Sequence, residues 1–309
     1  MTSPANASAR SWRPAWPCDP FEVLLPIRRG VRDPAFRHDP DGTVWRVTLT
    51  PDGPATLRIR SRPSVGLVEL EAWGSGRDWV LEQAPELLGA DDDASSFRPR
   101  DERVRTAWVR NPHWRVMRSR RVLEALTAAV IEQKVTGQEA FGGWRRLLRR
   151  FGAVGPGPGE GWGMHCPPTA EVLAQIPSWE WLRCQIDGAR SRPIVRAARA
   201  AESLERTVGM PSDQVEGALT SLPGVGVWTA AEVRQRAHGD ADAVSFGDYH
   251  VATQVGWALT GEPVTDSQLA VLLEADRPHR YRVQHLVTRR MAGPPRRGHR
   301  MALRRHLPR

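Results

Sequence analysis

Residues 219–249 read LTSLPGVGVWTAAEVRQRAHGDADAVSFGDY, and the rest of the 309-residue chain is interpreted around them. The turn Leu222-Pro223-Gly224-Val225-Gly226 lies between two stretches with helical spacing of hydrophobic residues, 212–220 and 227–236. Pro223 and the two glycines end the first helix and allow a tight turn into the second. The turn leaves backbone N–H groups free at a helix N-terminus, where they suit a phosphate oxygen, directly or through a cation. This pattern predicts a helix–hairpin–helix, a motif that holds DNA backbone without reading sequence; a plain helix–helix turn is the alternative.

A carboxylate follows this turn at a defined distance. Asp248 lies 22 residues after Gly226, within Ser245-Phe246-Gly247-Asp248-Tyr249, and opens another predicted helix. This combination resembles the helix–hairpin–helix DNA glycosylase superfamily. It consists of LPGVG, two further residues, TA, and then an Asp at this distance. The branch most similar is the bacterial 3-methyladenine DNA glycosylase II type. The paired motifs carry the resemblance, and weaker agreement extends over most of the chain.

An α+β fold is predicted, with a small N-terminal antiparallel-sheet domain followed by an all-helical region. Four short segments rich in Val, Ile, Leu and Trp predict strands within residues 21–73: FEVLLPI, TVWRVTLT, ATLRIR and GLVELEAW. Helical spacing appears at 76–88, and after a polar linker at 89–103 it dominates the chain. We therefore expect an α+β sheet domain over residues 19–100 and a two-lobed helical glycosylase region over residues 104–291.

Three segments are predicted to lie outside the packed structure. Residues 1–18 lack the apolar core of a signal peptide and are expected to form a disordered lead-in. Residues 152–168, GAVGPGPGEGWGMHCPP, are rich in Gly and Pro and are expected to form an unpacked loop. Residues 292–309 form a basic tail. Eleven arginines and no acid lie from Arg277 to the end of the sequence, so the net charge of +9 comes from this segment. It either holds phosphate through counterion release or remains solvated.

Composition limits the classes of protein that fit. A hydrophobic content of 40% without a membrane-spanning run predicts a globular protein of the cytoplasm, associated with the nucleoid and not with a membrane. The three cysteines are too widely spaced for a disulfide framework, a zinc site or a four-cysteine iron–sulfur cluster. No metal and no cofactor are predicted, apart from a monovalent cation at the hairpin. The expected partner is double-stranded DNA, and the expected state is a monomer.

Asp248 is the predicted catalytic residue. Cleavage of an N-glycosidic bond builds positive charge on the deoxyribose, which a nearby carboxylate stabilises while it orients or deprotonates the attacking water. Asp is also a favoured N-cap residue, so a structural role is the alternative. The two roles are compatible, because an N-cap position fixes the direction of the carboxylate.

The resemblance places Trp228 in the pocket for the flipped base, where an aromatic face attracts an alkylated, cationic purine. Tyr249 is expected to add a second wall. Bifunctional members of the superfamily carry a Schiff-base lysine at the position of Trp228, and Trp cannot perform that reaction. The only lysine of the chain is Lys134, on a different segment. The sequence therefore resembles the monofunctional enzymes; for Trp228, a place in the hydrophobic core is the alternative.

Other predicted contacts follow from the same resemblance. Leu222, Gly224, Gly226 and Thr229 are expected to hold the DNA backbone. Gln133 and Lys134 match the loop that inserts into the duplex, with Lys134 at a tip that in relatives is often apolar or an amide. Lys134 either contacts a phosphate or the widowed base, or it is a solvated lysine.

Two pocket positions depart from the family pattern. Glu232 and Asp276 take the places of aromatic residues and predict a more acidic base pocket.

The predicted function is a monofunctional glycosylase of base excision repair that flips damaged bases, alkylated purines in the first place, out of double-stranded DNA. Two alternatives remain. One is a non-enzymatic DNA-binding module that uses the hairpin and the basic tail. The other is a glycosylase for uncharged bases, deaminated or oxidised.

Overall fold

The N-terminal part of the chain forms a five-stranded antiparallel sheet with strand order β1-β5-β4-β3-β2. The computed structural model describes residues 7–294. The strands are β1 Ala7–Trp12, β2 Phe36–His38, β3 Val44–Thr50, β4 Gly53–Arg62 and β5 Leu67–Trp73. In β5, buried residues alternate with partly exposed ones, as expected for a strand with one face on the core. The helix α2, Arg77–Leu87, packs on that face.

Two predictions for the N-terminal segment are wrong. Residues 7–12, expected in a disordered lead-in, form the edge strand β1, which pairs with β5 from Ala7–Trp73 to Trp12–Val68. FEVLLPI, expected as a strand, forms the helix α1, Pro20–Leu24, and a 3₁₀ turn, Leu25–Ile27. Asp19 accepts hydrogen bonds from two backbone N–H groups of the first turn and Pro20 occupies the first turn, so local capping chemistry outweighs the β propensity of the segment. The predicted strands at β3, β4 and β5 are present.

The rest of the described chain, up to residue 294, is mainly helical. Its helices are α3 Glu102–Arg110, α4 Val122–Glu132, α5 Gly137–Phe151, α6 Pro158–Gly161, α7 Ala170–Gln175, α8 Ser178–Arg183, α9 Gly188–Arg199, α10 Ala201–Arg206, α11 Ser212–Thr220, α12 Val227–Val233, α13 Val251–Thr260, α14 Asp266–Leu273 and α15 Arg280–Arg290. Short 3₁₀ segments occupy Pro63–Val65, Thr207–Gly209 and Glu274–Asp276, and the π-helical turn Arg234–His238 extends α12. No helix within residues 7–294 is long and apolar enough to cross a membrane.

Two hydrophobic cores divide the helical region. One core is built mainly by α4, α5, α9 and α12. The other combines α3 with α13, α14 and α15. Phe97, within the predicted linker, is buried in this second core, so the linker is partly packed. The hairpin turn belongs to the first core and the helix after Asp248 to the second, so the candidate site lies where the two meet.

The Gly/Pro-rich segment 152–168 is packed, contrary to the prediction. It lies against the other face of the sheet, where the hydroxyl of Thr56 donates to the Pro156 carbonyl at 2.7 Å. A Cβ at Gly155 would lie 2.9 Å from Val47 Cγ2, and one at Gly157 would lie 2.6 Å from Trp73 Cγ. The glycines therefore serve close approach of backbone to sheet rather than flexibility. Cys166 is buried here, and the described structure also buries Cys18 and Cys184 as free thiols.

Candidate active site

The predicted hairpin consists of α11 and α12 joined by residues 221–226. Its two glycines differ in what they require. Gly224 has φ +98°, and a Cβ there would lie 2.3 Å from Pro193 Cγ on α9, so both backbone and packing demand glycine. Gly226 has φ −98°, and no atom would lie within 4 Å of its Cβ. Packing and backbone conformation therefore explain why position 224 requires glycine, but they do not explain the glycine at position 226.

The N-terminus of α12 faces this open space. Gly226 occupies the N-cap position, and no side chain caps the helix there. The N–H groups of the first helical turn have no intrahelical acceptors. They form a place where an anion can bind, as the sequence predicts.

Gln133 fixes the hairpin from behind. Its side-chain amide donates to the Gly224 carbonyl at 3.0 Å and to the Thr229 hydroxyl at 2.8 Å. Thr229 is 2% exposed and its hydroxyl is used inside the protein, so only its backbone N–H is left for the contact with DNA, which stays a prediction. Leu222 is half-buried against the first core. Gln133 therefore has a supporting role that the sequence did not indicate.

Lys134 is predicted at the tip of the loop that inserts into the duplex. Lys134 is exposed and has φ +54°, a left-handed backbone that a non-glycine residue rarely adopts, so it projects from a tight turn between α4 and α5.

The carbonyls of Leu222 and Pro223 accept hydrogen bonds from Val225 N–H and from the Arg196 side chain, respectively. Each carbonyl oxygen keeps a second lone pair. A monovalent cation at the hairpin stays a prediction.

Asp248 is held at the start of α13 by three hydrogen bonds. Its Oδ1 accepts from the backbone N–H groups of His250 at 2.8 Å and Val251 at 3.1 Å. Its Oδ2 accepts from Trp228 Nε1 at 3.1 Å. The carboxylate is half-buried rather than enclosed in packed protein. The capping role is therefore present, and it fixes the carboxylate beside the indole predicted to line the base pocket.

The structure does not bring the other pocket residues to Asp248 as predicted. The ring of Tyr249 is 89% exposed and lies against His250, with centroids 4.9 Å apart, so it forms no pocket wall in this structure. Asp276 lines a separate small cavity with Leu259, near the C-terminal end of α13. Asp248 lies at the N-terminal end of that helix, and Leu259 is about 12 Å further along it at 1.5 Å per residue. Neither Asp248 nor Trp228 lines the cavity of Asp276, whose place in the base pocket stays a prediction. Burial raises the pKa of the Asp276 carboxyl.

Glu232 lies one turn after Trp228, as predicted, but its carboxylate is used internally. Its Oε2 lies 2.7 Å from Arg236 Nη2, and its Oε1 accepts from the Ser245 hydroxyl at 2.8 Å. The Ser245 oxygen in turn accepts from the amides of Gln235 and Gln284. Glu232 is 8% exposed. It belongs to a buried polar network beneath the Trp228–Asp248 pair, and the prediction that it faces the substrate is not supported.

The sequence did not indicate a second carboxylate in this neighbourhood, Glu132 at the end of α4. Its Oε1 lies 2.8 Å from Nε of Arg29, which is buried and comes from the N-terminal domain. Burial raises the pKa of Glu132, the charges of Arg29 and Arg236 lower it, and those of Glu232 and Asp248 raise it. Glu132 thus shares an electrostatic environment with Asp248. The only signal in the sequence is its position directly before Gln133.

The arrangement offers a carboxylate fixed in direction, an indole beside it and an open helix N-terminus one turn away. Within residues 7–294, no group of three or more His, Cys, Asp or Glu side chains is placed to hold a metal ion. A carboxylate held in this way can act on a water or on a developing positive charge.

The chain resembles known proteins in sequence and in fold. No protein-family model matches the chain. It is 31% identical over 206 residues to a probable bifunctional transcriptional activator and DNA repair enzyme AlkA of Mycobacterium tuberculosis. That match covers 66% of this chain and 38% of the relative, so the chain spans well under half of the curated protein.

Solved structures resemble the whole of the described fold. A 3-methyladenine DNA glycosylase from Archaeoglobus fulgidus superposes with a TM-score of 0.76 at 18% identity, over 90% of this chain and 97% of its own. The resemblance to the helix–hairpin–helix DNA glycosylase superfamily is confirmed. An 8-oxoguanine glycosylase/lyase from Clostridium acetobutylicum shares the same glycosylase fold, with a TM-score of 0.68 at 12% identity over 92% of this chain and 95% of its own. The fold alone therefore does not separate monofunctional from bifunctional chemistry.

Proposed function

We propose that this chain is a monofunctional DNA glycosylase of base excision repair, which removes alkylated purines from double-stranded DNA. The observation that carries the proposal is the placement of Asp248. Three hydrogen bonds fix its half-buried carboxylate beside Trp228, which projects from the helix that begins at the glycine hairpin. The similarity to DNA repair and 3-methyladenine glycosylase proteins supports the same reaction class.

The reaction assigns distinct roles to these groups. The N–H groups at the open N-terminus of α12 bind a phosphate next to the lesion, and the damaged nucleotide is flipped towards Trp228. As the N-glycosidic bond breaks, its electron pair leaves with the cationic base, which becomes neutral. The Asp248 carboxylate stabilises the positive charge that develops on the sugar. Water then adds to the anomeric carbon and transfers a proton to the carboxylate, which leaves an abasic site.

The absence of a suitable lysine supports a monofunctional enzyme. Trp228 occupies the position of the Schiff-base lysine in bifunctional relatives, and Lys134 is exposed on the turn between α4 and α5. We expect borohydride to trap no covalent complex between the protein and lesion-containing DNA. A trapped complex that disappears in Lys134→Ala would show that Lys134 acts as a nucleophile and would contradict this part of the proposal.

A second candidate substrate class has its own support. Uncharged bases, deaminated or oxidised, are poorer leaving groups than cationic ones and depart more easily when protonated. Glu132 is a second carboxyl group near Asp248; burial raises its pKa, while the charges of Arg29 and Arg236 lower it. A glycosylase for neutral purine lesions is therefore the alternative.

Abasic-site formation tests the proposal. Duplexes that each contain one lesion, such as 3-methyladenine, 7-methylguanine, hypoxanthine or 8-oxoguanine, are incubated with the full chain, and abasic sites are cleaved by alkali. We expect release of the alkylated purines first. Release of only neutral bases would favour the alternative. DNA binding without any base release would identify a non-enzymatic binding module.

A further inference from the structure

A basic cleft lies outside the candidate active site, at the β2 edge of the sheet. It has a volume of about 410 Å³. Four arginines line it, Arg28, Arg32, Arg37 and Arg149, together with Trp162. We call these five residues the arginine cleft. Its volume lies within the range of sites that bind small molecules or single groups of a larger ligand.

The charges of the cleft are largely uncompensated. Among the described residues, the side chains of Arg28, Arg32 and Arg149 have no acidic group within 4 Å and donate no hydrogen bond to protein. Arg28 is positioned only by aromatic rings, with its Cζ 5.4 Å from the centroid of Phe21 and 5.9 Å from that of Phe36. Three guanidinium groups therefore converge on solvent, although like charges repel one another.

The acids of the cleft are already engaged. Asp39 accepts hydrogen bonds from Arg37 at 2.7 Å and from the Trp45 indole at 2.8 Å. Asp33 is buried and accepts from the backbone N–H groups of Arg29 and Ala35 and from Trp144. Burial raises the pKa of Asp33. Neither carboxylate is available to neutralise the three free arginines.

Trp162 gives the cleft a rigid wall. It is 40% exposed, and its ring packs edge-on against Trp45, with centroids 4.5 Å apart. Arg37 lies over the Trp162 ring, 4.6 Å from its centroid. This contact holds the fourth guanidinium at the mouth of the cleft.

The cleft and the candidate active site share one segment of chain. Arg28 points to the cleft, and its neighbour Arg29 pairs with Glu132 beside Asp248. A long polyanion that occupies the active site can therefore continue across Arg28. Phosphodiester groups match planar guanidinium donors, and their multiple charges match the number of free arginines.

We infer that the arginine cleft is a second DNA-binding site, which holds phosphodiester groups of the strand that flanks the lesion. This inference rests on the proposed function. An acidic protein segment would use the same charges. DNA is favoured because the residue after Arg28, Arg29, pairs with Glu132, whose pKa the charge of Asp248 raises.

The test is the salt dependence of duplex binding by the full chain. The variant is Arg32→Gln/Arg149→Gln. In the wild type both arginine side chains lack protein partners in the described structure, so the variant is expected to fold normally. On a duplex that extends well beyond the lesion on both sides, we expect weaker binding at low salt and a slope of log K against log [salt] reduced by about 1.8, for two lost phosphate contacts. On a minimal duplex centred on the lesion, the variant is expected to bind like the wild type.

A matched control removes the same charge elsewhere. Arg110→Gln/Arg199→Gln alters one arginine at the end of α3 and one at the end of α9, and neither side chain has a protein partner in the described structure. Equal effects of the two double variants, or no effect of the cleft variant on the long duplex, would overturn the inference. The inference would also be overturned if the cleft variant lost binding to an oligoglutamate peptide but bound DNA like the wild type. That result would identify a site for acidic protein segments. Base release by the wild type, measured on the same duplexes, tests the proposed function separately.

Discussion

At the scale of single residues, Asp248 combines a structural and a chemical role in one carboxylate. One oxygen caps α13 through two backbone N–H groups, and the other accepts from Trp228. Because these bonds fix the carboxylate before any substrate arrives, little reorganisation is needed during the reaction. The sequence predicted both the cap and its distance from the hairpin, since both depend on local spacing.

The two hairpin glycines predict different phenotypes. Gly224→Ala is expected to lower the free energy of unfolding by roughly 1–3 kcal/mol, because the new Cβ meets Pro193 and the backbone has positive φ. Gly226→Ala is expected to leave stability nearly unchanged but to weaken duplex binding, because its Cβ enters the open space at the N-terminus of α12. Urea unfolding and duplex titration of both variants check this. If Gly226→Ala bound DNA like the wild type, the hairpin would not be the phosphate site.

Because of His238, we expect the free energy of unfolding to fall in acid. The Thr207 hydroxyl donates to the Leu204 carbonyl, so its oxygen accepts from His238 Nε2–H, and Nδ1 is left buried without a partner among the described residues. Burial lowers the pKa of His238 to about 4. The unfolded chain, with a pKa near 6.5, therefore binds the proton more readily than the folded one.

The contribution of His238 to stability is present above about pH 6.5 and is lost as the pH falls towards 4, by an amount on the order of 3 kcal/mol. Unfolding free energies of the wild type and His238→Gln at pH 7.5 and pH 5 measure this difference. The variant should lose less stability on acidification. An identical loss in both proteins would show that His238 is not the group responsible.

At the scale of elements, the sequence predicted segments whose pattern is local. The bounds of α11 agree with expectation, and α12 with its π-helical extension ends within two residues of it, because Pro, Gly and hydrophobic spacing specify them. FEVLLPI was mispredicted because its composition favours a strand while Asp19 and Pro20 start a helix. The segment 152–168 was mispredicted because glycine-rich composition does not reveal a sheet surface that closely accommodates its backbone.

The edge strand β1 predicts that the first residues contribute to stability. Deletion of residues 1–12 should lower the urea midpoint, because β5 loses its ladder partner and Arg10 no longer donates to the Leu81 carbonyl on α2. Each net hydrogen bond contributes about 1 kcal/mol. Deletion of residues 1–6, which spares the strand, is the control. Equal midpoints for the two deletions would mean that β1 does not stabilise the domain.

At the scale of the whole molecule, three cores meet at the candidate site. The sheet domain contributes Arg29, the first helical core contributes Glu132 and Trp228, and the second contributes the helix after Asp248. The family pattern in the sequence predicted Trp228 and Asp248 as partners in one site, and the structure joins them by a hydrogen bond. The sequence could not indicate the Arg29–Glu132 pair or the separate cavity of Asp276, because those relations depend on how distant segments pack.

The contact between the sheet and the helical region is predicted to be energetically important. Glu124 on α4 accepts from Arg46 at 2.8 Å and from Thr48 at 2.7 Å, and the Arg46 side chain is buried. Glu124→Ala leaves a buried arginine unpaired and should cost about 3 kcal/mol of unfolding free energy. Glu202→Ala removes the exposed pair with Arg206 and should cost less than about 1 kcal/mol. Urea unfolding of both variants checks this; equal small losses would mean that the sheet and helices are not coupled through Glu124.

The catalytic role of the Asp248 carboxylate is tested most directly by single-turnover base release. Wild type and Asp248→Asn are compared on a duplex with one alkylated purine, and duplex affinity is measured alongside. The amide keeps the size of the side chain and an oxygen to cap α13 but removes its negative charge. We predict unchanged binding and a release rate lower by at least about 100-fold, as expected when a charge-stabilising group is lost. Equal release rates for the two proteins would contradict the assignment of Asp248 as the catalytic carboxylate.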